Sequence, residues 1–326
     1  MKTIKQPPVW WDNINLISIL LLPLSWIFGS ISYGRRKAYQ FNVLKSYQAP
    51  VPIFIIGNIS VGGTGKTPLL ISIVHYLTKQ GLKVGVVSRG YGGHYQSETL
   101  EITPTTPIKQ SGDETALIVQ QTQVPLFVGK SRVLAVQHLL KKYSVDCILS
   151  DDGLQHYALK RDIEVVVIDA KKRFGNQLLL PAGSLRESIN RLKTVDALIS
   201  RNPQLDNEFK MDLKVTGLIN LKTAEHKPIA DFKNQAVIAL AGIGNPEQFY
   251  QTLLDHQVIL KQTYDFPDHY DFCAQDIQFD YDLAVIMTAK DAVKCLDFAT
   301  SQHWYLGIEM EPEAGFFKLL LTKLNG

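Results

Sequence analysis

The chain has 326 residues and a formal net charge of +3. That length suits roughly two domains, and the excess charge is too small to mark a nucleic-acid binder by itself. The hydrophobic fraction of 45% fills an ordinary globular core, while Cys147, Cys273 and Cys295 are scattered and form no C-x-x-C pair, which argues against a disulfide framework or a zinc site and fits a reducing compartment.

Residues 14–34, INLISILLLPLSWIFGSISYG, carry no charge, and the basic cluster Arg35, Arg36 and Lys37 follows at once. A cleaved signal peptide is a poor reading, because no small-residue cleavage site follows. A spanning helix is one reading, since about 20 apolar residues suffice. A helix lying in the interface is another, with Trp10, Trp11 and Trp26 as anchors and Pro23 kinking the segment toward partial insertion. A buried core helix is the structural alternative. Basic residues just after the apolar run favour membrane attachment with the body of the protein on the cytosolic side.

The next element is an apolar strand, VPIFII at 51–56, followed by SVGGTGKT at 60–67. A strand, a glycine turn and a Lys-Thr pair opening a helix form a phosphate-binding loop. Inward-pointing amides cradle phosphate oxygens, and the helix N-terminus adds partial positive charge. The expected nucleotide-binding residues are Ser60, Val61, Gly62, Gly63, Thr64, Gly65, Lys66 and Thr67. Lys66 is expected to reach the β- and γ-phosphates of ATP, and Thr67 to ligate Mg²⁺. The general motif begins with glycine, and Ser60 stands in that place. A glycine-rich turn with a chance lysine is the bland alternative.

Beyond this loop the pattern is strand alternating with helix. Strands are expected at 51–57, 83–88, 124–128, 145–150, 163–168 and 195–199, and helices at 67–80, 111–121 and 131–142. That alternation predicts an α/β fold, a phosphate-loop NTPase-type parallel sheet with helices on both faces. Residues 202–235 are more polar and read as a linker or strand crossover. A second βα set follows, from AVIALAG at 236–242 to WYLGIEM at 304–310, and reads as a smaller α/β domain. The expected division is a membrane-associated helical segment at 1–47, a phosphate-loop core at 48–215 and a smaller C-terminal α/β domain at 216–326.

Several clusters at element ends carry candidate chemistry. In SDDGLQH at 150–156, Asp151 and Asp152 suit the acidic strand tip that holds Mg²⁺ in phosphate-loop enzymes, and adjacent strand residues point oppositely and so do different work. In SGDETALI at 111–118, Asp113 and Glu114 either cap a helix, or Asp113 acts as general base toward an attacking hydroxyl. Arg89 in SRGYGGHY sits at a strand end where ligands bind. Lys130 and Arg132 open a helix, either as cations for a transferring phosphoryl group or as a solvated basic face. NQLLLPAGSLRE at 176–187 is either an amphiphile-binding surface or core packing. A lone histidine such as His269 in FPDHYDF is ordinarily structural, and becomes chemical only if two domains close and bring it to Asp113.

Taken together, these motifs resemble one family, the tetraacyldisaccharide 4′-kinases, which make lipid IVA in Gram-negative bacteria by phosphorylating the 4′-hydroxyl of a lipid-linked glucosamine disaccharide. The resemblance covers nearly the whole chain: the apolar N-terminal helix, GNISVGGTGKTP, SRGYGG, GDE, DDGLQH, LLPAGSLRE, FPDHY and TAKDAVK occur in that order. It implies that Asp113 is the catalytic base paired with His269. It implies that Glu114, Asp152 and Glu187 lie at or near the Mg²⁺ site, and that Asp151, Gln155 and Arg132 are further active-site positions. It also implies attachment to the cytoplasmic face of the inner membrane, two α/β domains with the site between them, and inner-membrane lipids and the glycolipid acceptor as partners, with no nucleic acid and no obligate protein partner. Thr115, Ser184 and Ala289 depart from the common pattern, and Ala289 removes any role for an acidic side chain there.

Two rivals are weighed against this. A partitioning-type switch ATPase carries an extra lysine in its loop, where this chain has Val61. A soluble small-metabolite kinase has no use for the uncharged N-terminal segment.

Overall fold

The uncharged segment forms one helix, Leu16–Gln40 (α1), in a computed structural model that describes residues 8–324. Asn15 caps it: its side chain accepts from the Ser18 amide, and the Ser18 hydroxyl accepts from the Asn15 amide. The helix continues unbroken through Pro23, so the expected kink does not interrupt it. Its polar side turns inward, with Ser18 and Ser25 buried, while Leu16, Leu20, Leu24, Trp26 and Ile27 are exposed. The reading as a buried core helix is thereby overturned. Trp10 and Trp11 also differ from expectation, because both indole N–H groups donate to the Pro181 carbonyl and so turn toward the protein.

The first lobe contains Ile53–Gly57 (β1), Lys66–Lys79 (α2), Val84–Ser88 (β2), Thr99–Ile102 (β3), Ile108–Ser111 (α3), Asp113–Thr122 (α4), Leu126–Gly129 (β4), Arg132–Lys142 (α5), Cys147–Asp151 (β5), Ile163–Val167 (β6) and Ala197–Ser200 (β7). Strand order is β7-β6-β1-β5-β2-β4-β3, parallel except for β3, which runs against β4. Every residue of β1, β2, β5 and β6 is buried, as continuous apolar runs covered on both faces must be. The edge strand β3, absent from the expected set, is only partly buried and carries no apolar run.

The second lobe contains Glu208–Asn220 (β8), His226–Lys227 (β9), Ala236–Ala241 (β10), Pro246–Asp255 (α6), Ile259–Asp265 (β11), Ala274–Ile277 (α7), Ala284–Thr288 (β12), Ala289–Cys295 (α8), His303–Pro312 (β13) and Ala314–Leu324 (α9). The segment read as a linker or crossover in fact contains β8, a 13-residue strand that joins the lobes. Its first residues pair in parallel with β7, and from Met211 onward it pairs antiparallel with β13. One continuous sheet therefore runs from β11 to β3, and residue 215, the expected domain limit, lies inside β8.

This register decides where the two lobes face each other. β8 runs on past the C-terminal end of β7, and β13 runs on past the C-terminal end of β12 to meet it. Because β8 and β13 are antiparallel, the parallel strands of the two lobes point toward each other, and their C-terminal loops line one cleft. Loops at those strand ends are where open α/β sheets bind ligands.

The lobes also share a core. Phe316 and Leu320 of α9, fully buried, pack with Phe54, Leu70 and Val74 of the first lobe, and Phe317 stacks on Tyr76 at 4.0 Å. Burying side chains of this size contributes about 1.5–3 kcal/mol each.

Candidate active site

The turn after β1 is built for close approach of an anion. Gly62 and Gly65 have φ of 126° and 85°, where side chains other than glycine are strained, and Gly65 is the residue before α2. A second loop braces this turn: Val61 N–H donates to the Ser184 carbonyl at 2.9 Å, and Arg186 N–H to the Ile59 carbonyl at 2.7 Å. The same loop holds α1, since Ser25 Oγ donates to the Leu179 carbonyl and accepts from the Ala182 amide. NQLLLPAGSLRE is therefore a strut between the apolar helix and the phosphate loop.

Lys66 Nζ lies 3.7 Å from Asp152 Oδ1. Asp152 has φ of 46°, and Arg186 Nη1 donates to both its oxygens, at 3.1 and 2.9 Å. Burial raises the Asp152 pKa, but Lys66 and Arg186 outweigh it and hold the carboxyl below the usual range. Its neighbour Asp151, the last residue of β5, points elsewhere, because the left-handed turn at Asp152 re-aims the chain just past the strand end. Asp151 is buried and accepts from Ser88 Oγ at 3.3 Å, while its Oδ1 has no hydrogen-bond partner among the described residues. Burial first, then the charges of Glu114 and Asp152, push it up to about 7.

Arg132, at the start of α5, is also buried. It donates to the carbonyls of Gly129 and Asp151, both at 3.1 Å, so it closes the β4 and β5 ends together. Burial lowers its pKa to about 10, and the charges of Asp151 and Asp152 oppose that. His156 accepts from the Arg132 amide at 3.2 Å. Burial, with Arg132 and Arg161 nearby, drives His156 down to about 4, so it is neutral and free to accept. Gln155 Nε2 donates to the Asn58 carbonyl at 3.1 Å, behind the phosphate loop. Arg89 is exposed at the end of β2, as is Lys130 after β4.

Asp113 begins α4 and is 4% exposed. His269, from the loop after β11 in the other lobe, places Nδ1 3.0 and 2.9 Å from its two oxygens. Gly112 before it has φ of 80°, and a Cβ there would sit 2.3 Å from the Tyr91 carbonyl oxygen, so the entry to α4 requires glycine. Burial alone raises the Asp113 pKa, yet the His269 hydrogen bond and the charge of Lys290 bring it below the usual value. The same hydrogen bond raises His269.

Two cations here were not singled out from sequence. Lys290 Nζ lies 2.8 Å from Asp268, 3.7 Å from Asp113 and 3.7 Å from Glu114. Lys294 Nζ lies 2.8 Å from Asp291 and 4.0 Å from Asp113. The string TAKDAVK contains both, but nothing in its spacing says that they meet a residue from α4. Arg186 was likewise visible only as one charged residue among leucines.

Glu187 stands apart from its neighbour Arg186. Its Oε1 accepts from the Tyr157 hydroxyl at 2.7 Å, and Arg191 Nε lies 3.2 Å from its Oε2. Burial raises its pKa. No ion pair or hydrogen bond joins Glu187 to Lys66 or Asp152 among the described residues.

Among the described residues no three His, Cys, Asp or Glu side chains form a closed metal cage. Mg²⁺ does not need one, because it binds through one or two carboxylates, substrate phosphates and water. The hard oxygens of Thr67, Asp151, Asp152 and Glu114 suit it. The burial and neighbouring carboxylate charge that push Asp151 up are what a divalent cation would oppose.

Comparison with known proteins points to one family. A family model described as tetraacyldisaccharide-1-P 4′-kinase matches residues 17–325. The chain is 43% identical over 315 residues to a tetraacyldisaccharide 4′-kinase of Ruthia magnifica subsp. Calyptogena magnifica, covering 96% of this chain and 100% of that one. It is 46% identical over 316 residues to that of Shewanella denitrificans, covering 96% and 95%. Among solved structures it resembles the "apo" form of LpxK from Aquifex aeolicus in complex with ATP, with a TM-score of 0.81 and 29% identity over 95% of this chain and 100% of that one.

Proposed function

The chain belongs to the tetraacyldisaccharide-1-P 4′-kinase family, and we propose that the cleft between its lobes carries out that family's reaction with the residues described above. It is a kinase of lipid A biosynthesis that phosphorylates the 4′-hydroxyl of a tetraacylated glucosamine disaccharide 1-phosphate to give lipid IVA. ATP is the donor, and its triphosphate lies against the amides of Ser60 to Gly65, with Lys66 at the β- and γ-phosphates.

Phosphoryl transfer proceeds through a loose transition state whose charge spreads over the equatorial oxygens, so placement and electrostatics dominate. Lys66 and the buried guanidinium of Arg132 supply fixed positive charge at the strand ends, and Arg89 is the exposed cation on the same rim. Asp113 accepts the proton of the 4′-hydroxyl, and His269 orients its carboxylate. Thr67, Asp152 and Glu114 would hold Mg²⁺, with Asp151 and Gln155 behind them, while Glu187 belongs to this set through the resemblance alone. When bound, the metal neutralises charge between the β- and γ-phosphates.

The observation that carries this reading is the Asp113–His269 pair, contributed by two lobes at the rim of one cleft that also holds the phosphate loop. The outward apolar face of α1, a candidate membrane anchor, supports attachment to the inner membrane, and Arg35 to Lys37 at its end support the cytoplasmic face. There the acyl chains of the acceptor stay in lipid while its distal sugar enters the cleft.

The test is mass spectrometry of the product after mixing the protein, Mg²⁺, ATP and tetraacyldisaccharide 1-phosphate in mixed micelles. Gain of one phosphate on the distal sugar is expected. ATP hydrolysis with every glycolipid acceptor unmodified would overturn the reading.

A further inference from the structure

We propose that Lys290 is the positioning residue of the reaction, the cation that holds the Asp113–His269 pair in register across the two lobes. The proposal rests on the assignment of Asp113 as the base. Asp113 presents an almost fully buried carboxylate, and burying a carboxylate is costly unless cations and donors surround it. The groups facing it are His269 from the loop after β11, Lys290 and Lys294 from α8, and Glu114 from its own helix.

Lys290 differs from the others because it touches the base on one side and, on the other, the residue that immediately precedes His269. It lies 3.7 Å from Asp113, in the first lobe, and 2.8 Å from Asp268, in the second. Asp268 Oδ1 in turn accepts from the His269 amide at 3.1 Å, and His269 has a φ of 60°, an unfavourable conformation that its surroundings must hold. Lys290 therefore clamps the strained histidine turn against the base. Its own helix is fixed from below: the buried Asp291 accepts from the Gly242 amide at 2.8 Å and from Thr288 Oγ1 at 2.7 Å, and pairs with Lys294 at 2.8 Å. Lys294 is committed to Asp291, which leaves Lys290 as the bridging cation.

The experiment is a kinetic double-mutant cycle on the full-length protein. Lys290→Met is expected to lower kcat by about 10- to 100-fold, the scale of a misplaced catalytic group, with KM for ATP unchanged because the phosphate loop is untouched. On a His269→Ala background the same substitution is expected to cost little more, since both act through Asp113. Lys290→Arg should recover much of the rate and Lys290→Gln none, which keeps the test informative if the methionine variant does not fold. An unimpaired kcat in Lys290→Met, or losses that multiply fully with His269→Ala, would overturn the proposal. Asp113→Asn separates the two readings: if it keeps full rate, the base assignment fails, and if it is inactive while Lys290→Met is not, only the role of Lys290 fails.

Discussion

His269 Nδ1 lies 2.9 Å from Asp113 Oδ2 although 156 positions separate them in the chain. The contact exists only because β8 and β13 bring the strand ends of two lobes face to face. It turns an otherwise ordinary helix-start aspartate into a carboxylate whose orientation depends on the opposite lobe.

If Asp113 takes the proton, Asp113→Asn should lower kcat by about 10²–10⁴-fold, the usual contribution of a general base. His269→Ala should cost less, because it removes the orienting group and leaves the base. Steady-state assays at saturating ATP and acceptor check both, and a loss below about tenfold in Asp113→Asn would remove it from the chemistry.

His156 sets a pH dependence of stability. Its folded pKa is about 4 against an ordinary value of 6.5, so the unfolded chain binds the extra proton first as pH falls. Its contribution is present in full above about pH 6.5 and is lost as pH falls toward about 4. Thermal unfolding midpoints of the wild type and His156→Asn, measured across that range, should therefore converge toward the acid end. Parallel curves would mean that the histidine is not held neutral.

The apolar face of α1 should be separable from its docked face. Replacing Leu20, Leu24 and Ile27, which are 70%, 54% and 58% exposed, by glutamate should release the protein from phospholipid vesicles in sedimentation. Circular dichroism should be unchanged, because Ser18 and Ser25 face the body instead. Retained sedimentation would show that α1 does not carry membrane binding.

Phe316 is predicted to be a keystone of the first lobe although it lies in the last helix. Phe316→Ala removes a fully buried ring from the cluster around Phe54 and Leu70, and should cost about 3–5 kcal/mol in urea unfolding. A cost near zero would mean that α9 packs only peripherally.

Much of the candidate site was legible because a turn shaped to hold phosphate is local chemistry. A turn, a lysine and a helix start within eight residues specify their own geometry, so Ser60 to Thr67 and the strand-end aspartates could be found in order along the chain. The pair Asp151 and Asp152 was legible as two neighbours with different work, but alternation is not the cause: Asp151 ends β5 and faces Ser88, and the left-handed turn at Asp152 carries that side chain to Lys66 and Arg186. The lysines of TAKDAVK could not be read this way. Their partners lie on α4, and no period within α8 encodes a contact to another lobe. The two N-terminal tryptophans were misjudged for a related reason. An indole at the edge of an apolar run suits a bilayer interface, but here a single carbonyl, that of Pro181, takes both N–H groups.

The sequence by itself determined the element types, the phosphate loop and the presence of an apolar helix, because backbone periodicity and turn chemistry act over a few residues. The tertiary structure alone decided that the supposed linker is the strand β8, that α9 completes the first core, and that Asp113, His269 and Lys290 meet. Those outcomes depend on strand register and on the antiparallel pairing of β8 with β13, which sum weak preferences across the whole chain and leave no signature at any one position.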